Sequence, residues 1–353
     1  MSSYNKPHLS FKQQLDLLKS RGLEITDDVA ALAYLSRVGY YRLSGYWYPC
    51  RKPIPSSAGQ YRAQRSDEFM PGARFEDGVA LYVFDKKLRL LALDAIERLE
   101  IAFRVDIAYL LGKQDPFAYI KPSLLHGNFT KKINSKTGKT RHQEWLNKHE
   151  QLIKRSKEDF TTHYKIKYGL PLPIWIAVEL WDFGLLATFY QGMTVKDKTE
   201  IAAKYNISDW QVMESWLRCL NYARNVVAHH GRLWNRNLID QPKLAKQGAM
   251  INFDSFIGNA QITSRIYIVF CILAHFMQHL CPRSSWQQRV TDLIRSFPAT
   301  AHMSVKDMGF PEDWEQQLFW VNPLPKKGDG LLSEALEDVK SNNVETITLA
   351  EFN

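Results

Sequence analysis

One short segment carries most of the reactive chemistry in this chain: Arg224-Asn225-Val226-Val227-Ala228-His229-His230. A histidine that titrates near neutrality can take or give a proton. A guanidinium can clamp a phosphate through two parallel N–H bonds. Together these are the groups that metal-free RNA cleavage requires. The 2′-hydroxyl attacks the adjacent phosphorus and a base takes its proton. An acid then protonates the leaving 5′-oxygen, and a cation stabilises the crowded phosphorane. This set of groups calls for no metal and no other cofactor.

The spacing sets the geometry. Asn225 and His229 are i, i+4 neighbours and share a helix face. His229 and His230 fall at the helix C-terminus, where the dipole favours imidazolium. Arg224 lies about 20° from Met213 on an ideal helix, inside the apolar stripe, so it needs a partner. Arg224 and His229 are five steps and about 140° apart, so one helix alone converges them poorly. A second copy of the segment across a two-fold axis can complete the site, which is a reason to expect a homodimer. The same spacing also fits a plainer reading, with Arg224 in a core ion pair and the histidines capping the helix end.

The helix that must carry this segment opens at Ser208, with Gln211 completing a capping box. Met213, Trp216, Leu217, Leu220, Ala223 and Val227 form its apolar stripe, and Gly231 is the expected C′ residue. Three- and four-residue apolar steps predict further helices over 11–19, 27–37, 75–112, 143–168, 174–191, 194–205, 258–280 and 285–297. Residues 53–72 and 126–138 read as loops, and the tail after Pro323 as acidic and mobile. Only Thr346–Leu349 hints at a strand. The expected class is all-α.

The chain has 353 residues with a net charge of +9. Its four cysteines are scattered, no apolar leader is visible and no apolar run could span a bilayer. These features point to the cytoplasm and to no membrane partner. A basic body points to a polyanion such as RNA. Residues 129–168 hold eleven Lys and Arg against four acids. Lys131, Lys132, Lys136, Lys139 and Arg141 are therefore candidate RNA contacts on a flexible loop, or else a solvated surface loop. Arg232 and Arg236 are candidate phosphate contacts, or else they pack on Trp234 and cap the helix end.

Cys271, His275, His279 and Cys281 superficially resemble a zinc set, but successive i+4 ligands climb about 6 Å per step and cannot wrap one ion. A core cysteine with histidines at a helix end fits better and no metal is expected, the alternative being a His275/His279 pair with an outside ligand. Glu97, Glu100, Glu179 and Asp182 interrupt apolar faces. They are expected to pair with Arg98, Arg104 or Arg224. Tyr40, Tyr41, Tyr46, Trp47 and Tyr48 can stack on bases or pack the N-terminal helices. No phosphate loop, dinucleotide fingerprint, zinc-protease helix or nucleophile elbow occurs.

The run from Arg224 to Arg236, ending Gly231-Arg232-Leu233-Trp234-Asn235-Arg236, resembles the Abi-like family of abortive-infection proteins, AbiD/AbiF type. So do Lys6-Pro7 with Phe11, Gln14 and Leu18, and Gly39-Tyr40-Tyr41-Arg42-Leu43-Ser44-Gly45-Tyr46. Ile96-Glu97 with Arg104, Ser156-x-Glu158-x-Phe160-x-x-His163-Tyr164, Leu172-Pro173-Ile174-Trp175, Glu179 and Phe183-Gly184 extend the likeness to about residue 280. The resemblance implies a HEPN-like helical bundle with a basic loop insertion. An N-terminal helical segment (1–72) would pack on a core (73–300), followed by a C-terminal extension (301–353). It also implies a metal-independent endoribonuclease of phage defence, built at a homodimer interface. In this reading Arg224 binds phosphate, Asn225 is the polar residue after it, and His229 or His230 is the motif histidine. A small regulatory RNA or a protein antitoxin would restrain it, as in toxin–antitoxin pairs. The alternative is a non-catalytic RNA-binding or sensor module.

Overall fold

In the computed structural model, residues 7–55 and 64–321 are described. The acidic tail, the Thr346–Leu349 run and Lys6 lie outside them. The chain begins with α1 (Phe11–Ser20), α2 (Asp28–Arg37) and α3 (Tyr40–Trp47). Two short strands follow, β1 (Arg51–Pro53) and β2 (Arg65–Phe69), before the central helix α4 (Phe75–Gly112). Next come α5 (Gly127–Thr130), α6 (Arg141–Arg155), α7 (Asp159–Tyr168), α8 (Ile174–Ala177), α9 (Phe183–Gly192) and α10 (Val195–Lys204). The last part holds α11 (Trp210–Ala228), α12 (Ile251–Asp254), α13 (Ala260–Thr263), α14 (Ile266–Leu280), α15 (Trp286–Arg295) and α16 (Leu318–Val321). The fold is the all-α class expected.

The axis of the molecule is α4. Its 38 residues span about 57 Å at 1.5 Å per residue. Leu81, Phe84, Leu88, Ala95, Leu99, Phe103 and Ile107 form its buried face. Against it pack α3, α8, α9, α10, α11, α14 and α15. Every residue of α14 from Ile266 to Gln278 is buried, as expected of a helix that is apolar all round. The buried side chains from Leu15 to Phe319 form one continuous core.

Several boundaries differ from the sequence expectation. The 53–72 loop contains β2, which pairs antiparallel with β1 in the register Arg51↔Phe69 and Pro53↔Arg65. The helix expected over 143–168 breaks at Ser156, which takes an extended conformation. The Ser156 hydroxyl accepts the Glu158 N–H at 3.3 Å and donates to Thr161 Oγ1 at 3.2 Å. Such local bonds compete with the helical ladder. The 174–191 helix breaks at Trp181, where Asp182 caps α9 by accepting the Leu185 N–H at 2.8 Å. The residue capping α11 is Asp209 rather than Ser208, with its carboxylate accepting the Gln211 N–H at 2.7 Å. The 258–280 helix starts only at Ile266.

The far end of α11 also differs. The left-handed residue is His230, at φ 55°, not Gly231. The His230 N–H reaches the Val227 carbonyl at 3.0 Å and the Gly231 N–H reaches the Val226 carbonyl at 2.8 Å. This pair of bonds is a Schellman closure with histidine at the position that glycine usually fills. Gly231 is needed for a different reason. A Cβ there would stand 3.1 Å from the Val226 carbonyl oxygen.

Candidate functional site

Three elements enclose a cleft of about 410 Å³. From α6 come Arg141, Glu144, Lys148 and Arg155; from the start and body of α9, Asp182 and Thr188; from α11, Asn221, Arg224 and Asn225. Arg224 and Asn225, two of the candidate catalytic residues, therefore share one wall.

The placement of α6 follows from its two faces. Thr140 and Gln143 form a reciprocal capping box at its start. Its inner face is His142, Trp145, His149 and Ile153. Trp145 Nε1 donates to the Leu185 carbonyl at 3.0 Å, and Trp181 Nε1 donates to His149 Nδ1 at 3.0 Å. His142 Nε2 bonds the Tyr119 carbonyl at 2.8 Å. These bonds fasten α6 to α9 and to the turn after α4, leaving the row Arg141, Lys148 and Arg155 at the cleft. Burial pushes His149 down from its ordinary 6.5 to about 4, so it stays neutral.

On the opposite wall, α11 approaches α9 closely over Gly184. A Cβ there would stand 3.2 Å from Asn221 Oδ1. Asn221, Arg224 and Asn225 are at i, i+3 and i+4 and share a face. Arg224 is half-exposed rather than buried in the apolar stripe. Its Nη1 reaches Asn225 Oδ1 at 3.5 Å, a marginal contact. Among the described residues no carboxylate lies within 4 Å of its guanidinium, so the core ion pair is not formed. Glu100 on α4 is close enough for Arg224 to pull its carboxyl down, although burial dominates and the net shift is upward. Glu100 is bonded instead to Arg104 at 2.6 Å, and Arg104 also reaches Glu179 at 3.5 Å and the Trp181 carbonyl at 2.9 Å. Arg98 pairs with Asp94, not Glu97.

His229 and His230 are exposed at the end of α11 and are not among the residues lining the cleft. The five-step offset from Arg224 thus persists in the folded chain. Arg42 of α3 donates to the His230 carbonyl at 2.7 Å, which helps hold the left-handed turn. Arg232 donates to the Gly45 carbonyl. Arg236 donates to the Arg232 carbonyl at 2.8 Å and to Tyr222 Oη at 3.2 Å. Both are half-buried, and these bonds go to neither Trp234 nor the last carbonyls of α11.

Lys131, Lys132, Lys136 and Lys139 are exposed. Their loop is a closed turn, with the Asn134 N–H bonded to the Lys139 carbonyl at 2.9 Å and the Lys136 N–H to Asn134 Oδ1 at 3.0 Å. Glu144 ties it to the mouth of the cleft by accepting from Thr137 Oγ1 at 2.5 Å.

Behind the segment lies a group that the sequence reading missed. Asp85 of α4 is fully buried and ion-paired to Arg89. It accepts the Tyr46 hydroxyl at 2.7 Å and the backbone N–H groups of Leu233 and Trp234 at 3.1 and 2.8 Å. Burial raises its carboxyl despite these donors. Tyr46 and Trp47 therefore serve packing, while Tyr41 stays exposed. His275 Nε2 is spent on the Tyr205 carbonyl at 2.7 Å and His279 Nδ1 on the His275 carbonyl at 2.8 Å. Among the described residues no three His, Cys, Asp or Glu groups converge as metal ligands, and no helix is long and apolar enough to cross a membrane.

A family model described as Abi-like protein matches residues 33–235. That is more than half of the chain and ends just beyond the Arg-Asn-x-x-x-His segment. The chain belongs to the Abi-like family. No curated protein and no solved structure matches it.

Proposed function

We propose that this protein acts in abortive-infection defence as a metal-independent endoribonuclease of HEPN type. Arg224 and Asn225 bind the scissile phosphate in the cleft between α6, α9 and α11. The observation that carries the reading is the Arg224 guanidinium, with no carboxylate within 4 Å among the described residues, on the wall of a cation-rich cleft. Family membership gives the biological setting. The 2′-oxygen attacks phosphorus and the P–O5′ bond breaks, leaving a 2′,3′-cyclic phosphate and a 5′-hydroxyl. Arg224 offsets the charge of the phosphorane, and a histidine of the helix end moves the protons. His229 stands off its own chain's cleft, so the site is composite: a homodimer brings His229 of one copy to Arg224 of the other. A regulatory RNA or protein antitoxin is a natural restraint on such an activity.

The test is cleavage of labelled RNA by the purified protein in EDTA. Wild type is expected to cut and leave cyclic phosphate ends, and Arg224→Ala to be inactive. Undiminished cutting by Arg224→Ala would contradict the mechanism.

The exposed position of both histidines favours one alternative, a non-catalytic RNA-binding or sensor module. Such a module loses RNA affinity on Arg224→Ala, tolerates His229→Ala and cuts no RNA.

A further inference from the structure

The cleft wall formed by α6 presents Arg141, Lys148 and Arg155 at seven-residue steps. Seven residues of α-helix advance about 10 Å and return to within about 20° of the starting azimuth. The three cations therefore stand in a row of about 20 Å along one face. All three are exposed. Among the described residues none has a carboxylate within 4 Å, whereas Arg98, Arg104, Arg218, Arg289 and Arg295 each hold one. Arg141 Nη2 is instead fixed by the neutral Gln191 Oε1 at 2.6 Å, which sets its position and leaves its charge uncompensated.

With Arg224 opposite, four cations face the cleft against two acids. Both acids are bonded to neutral donors, Glu144 to the Thr137 hydroxyl and Asp182 to the Leu185 N–H, and keep their charge, so the cations outnumber them by two. An anion with charges repeated along its length offsets this row best. The facing wall offers Thr188, Asn221 and Asn225, neutral groups that can bond base edges or 2′-hydroxyls. The cleft volume of about 410 Å³ is that of a small-ligand site. A duplex keeps its bases stacked inside and could only rest on the rim, whereas a single strand can turn a nucleotide inward.

We propose that α6 is a binding track for single-stranded RNA. Lys148 and Arg155 hold phosphates flanking the one at Arg224, Arg141 heads the row, and one unpaired nucleotide occupies the cleft. This rests on the reading of the cleft as an RNA site and adds its contact residues and strand preference.

The test is fluorescence anisotropy with a labelled 2′-O-methyl oligouridylate of about 12 nucleotides, which cannot be cut. Lys148→Gln with Arg155→Gln is expected to weaken binding at least about tenfold and to lower the salt slope by about 1.4, two single-strand phosphate contacts. Glutamine keeps the helix propensity of the residues it replaces, and circular dichroism checks the fold. Lys154→Gln, the same charge change off the row, is expected to stay within about twofold. A duplex of equal length is expected to bind more weakly than the single strand. Wild-type affinity in the double variant overturns the proposal. So does a duplex or polyglutamate binding as tightly as the single strand. If wild type binds through the row but cuts no RNA, the nuclease reading fails and the track stands. If the double variant binds and cuts as wild type, the track fails and the nuclease reading stands. If wild type binds no RNA, both fall.

Discussion

The Asp85 carboxylate accepts the backbone N–H of Trp234 at 2.8 Å, across 149 residues of chain. With the Leu233 N–H, the Tyr46 hydroxyl and Arg89, it ties α3 and α4 to the strand of chain that leaves α11. The reactive segment is thus anchored from behind by a buried charge that never touches the cleft. Removing one partner of such a group leaves the others buried and unsatisfied. Asp85→Ala is expected to cost about 3–5 kcal/mol, and Tyr46→Phe about 1–3 kcal/mol. Urea unfolding measures both, and a loss under about 1 kcal/mol for Asp85→Ala would contradict the anchoring role.

The left-handed turn at His230 gives a second expectation. A non-glycine residue at φ 55° is strained, and glycine is not. His230→Gly should stabilise the fold by about 1 kcal/mol. Chemical denaturation reads this, and destabilisation would mean that the histidine ring makes a contact worth more than the strain. The same variant separates the two histidines. If His229 is the proton-transfer residue, His230→Gly keeps cleavage while His229→Ala loses it.

Three buried histidines, His142, His149 and His275, are held down by burial and weaken the fold in acid, two of them through large shifts. Burial holds His149 at about 4 and His275 at about 3, both below the ordinary 6.5. Below pH 6.5 the unfolded chain takes up protons that the folded chain refuses. The stability these residues contribute is therefore complete above that pH and is lost as pH falls toward 4. Each contributes a slope of about 1.4 kcal/mol per pH unit in this window. Unfolding midpoints from pH 7 to pH 4 test it. His149→Phe, which keeps an aromatic ring in the site, should flatten the slope, and an unchanged slope would show that His149 is not the group responsible.

Close approach predicts one more sensitive position. A Cβ on Gly78 of α4 would fall 1.9 Å from Trp47 Nε1, and Trp47 is buried and bonded to the Phe75 carbonyl at 3.2 Å. Gly78→Ala must displace the indole and is expected to cost at least about 1–3 kcal/mol, despite alanine's better helix propensity. Thermal melting decides the sign, since a stabilised variant would mean that the α3–α4 contact yields without cost.

Periodicity made α4 legible end to end, because apolar residues recur at helical spacing from Leu81 to Ile107. It could not show the breaks at Ser156 and Trp181, where local side-chain bonds outcompete the helix. Nor could it show β2, whose register depends on a partner strand. Arg224 and Asn225 were legible as a pair, and their common wall follows from adjacency on α11. The α6 row was hidden by its own composition, since Lys148 and Arg155 stand among other basic residues and only the position of α9 picks out their face. Asp85 gave no signal because its partners come from α3 and from Leu233 and Trp234, far apart in the chain. The divergence of His229 from Arg224 is legible in the sequence, because five steps of α11 turn them about 140° apart.

That offset makes the composite site the most exposed part of the account. Arg224→Ala and His229→Ala protein, each inactive alone, should be mixed under conditions of verified subunit exchange and assayed for RNA cleavage in EDTA. If Arg224 of one copy works with His229 of the other, half of the dimers are mixed and each holds one intact site of two. Activity should then return to about a quarter of wild type. No recovery in exchanged dimers would contradict the composite site.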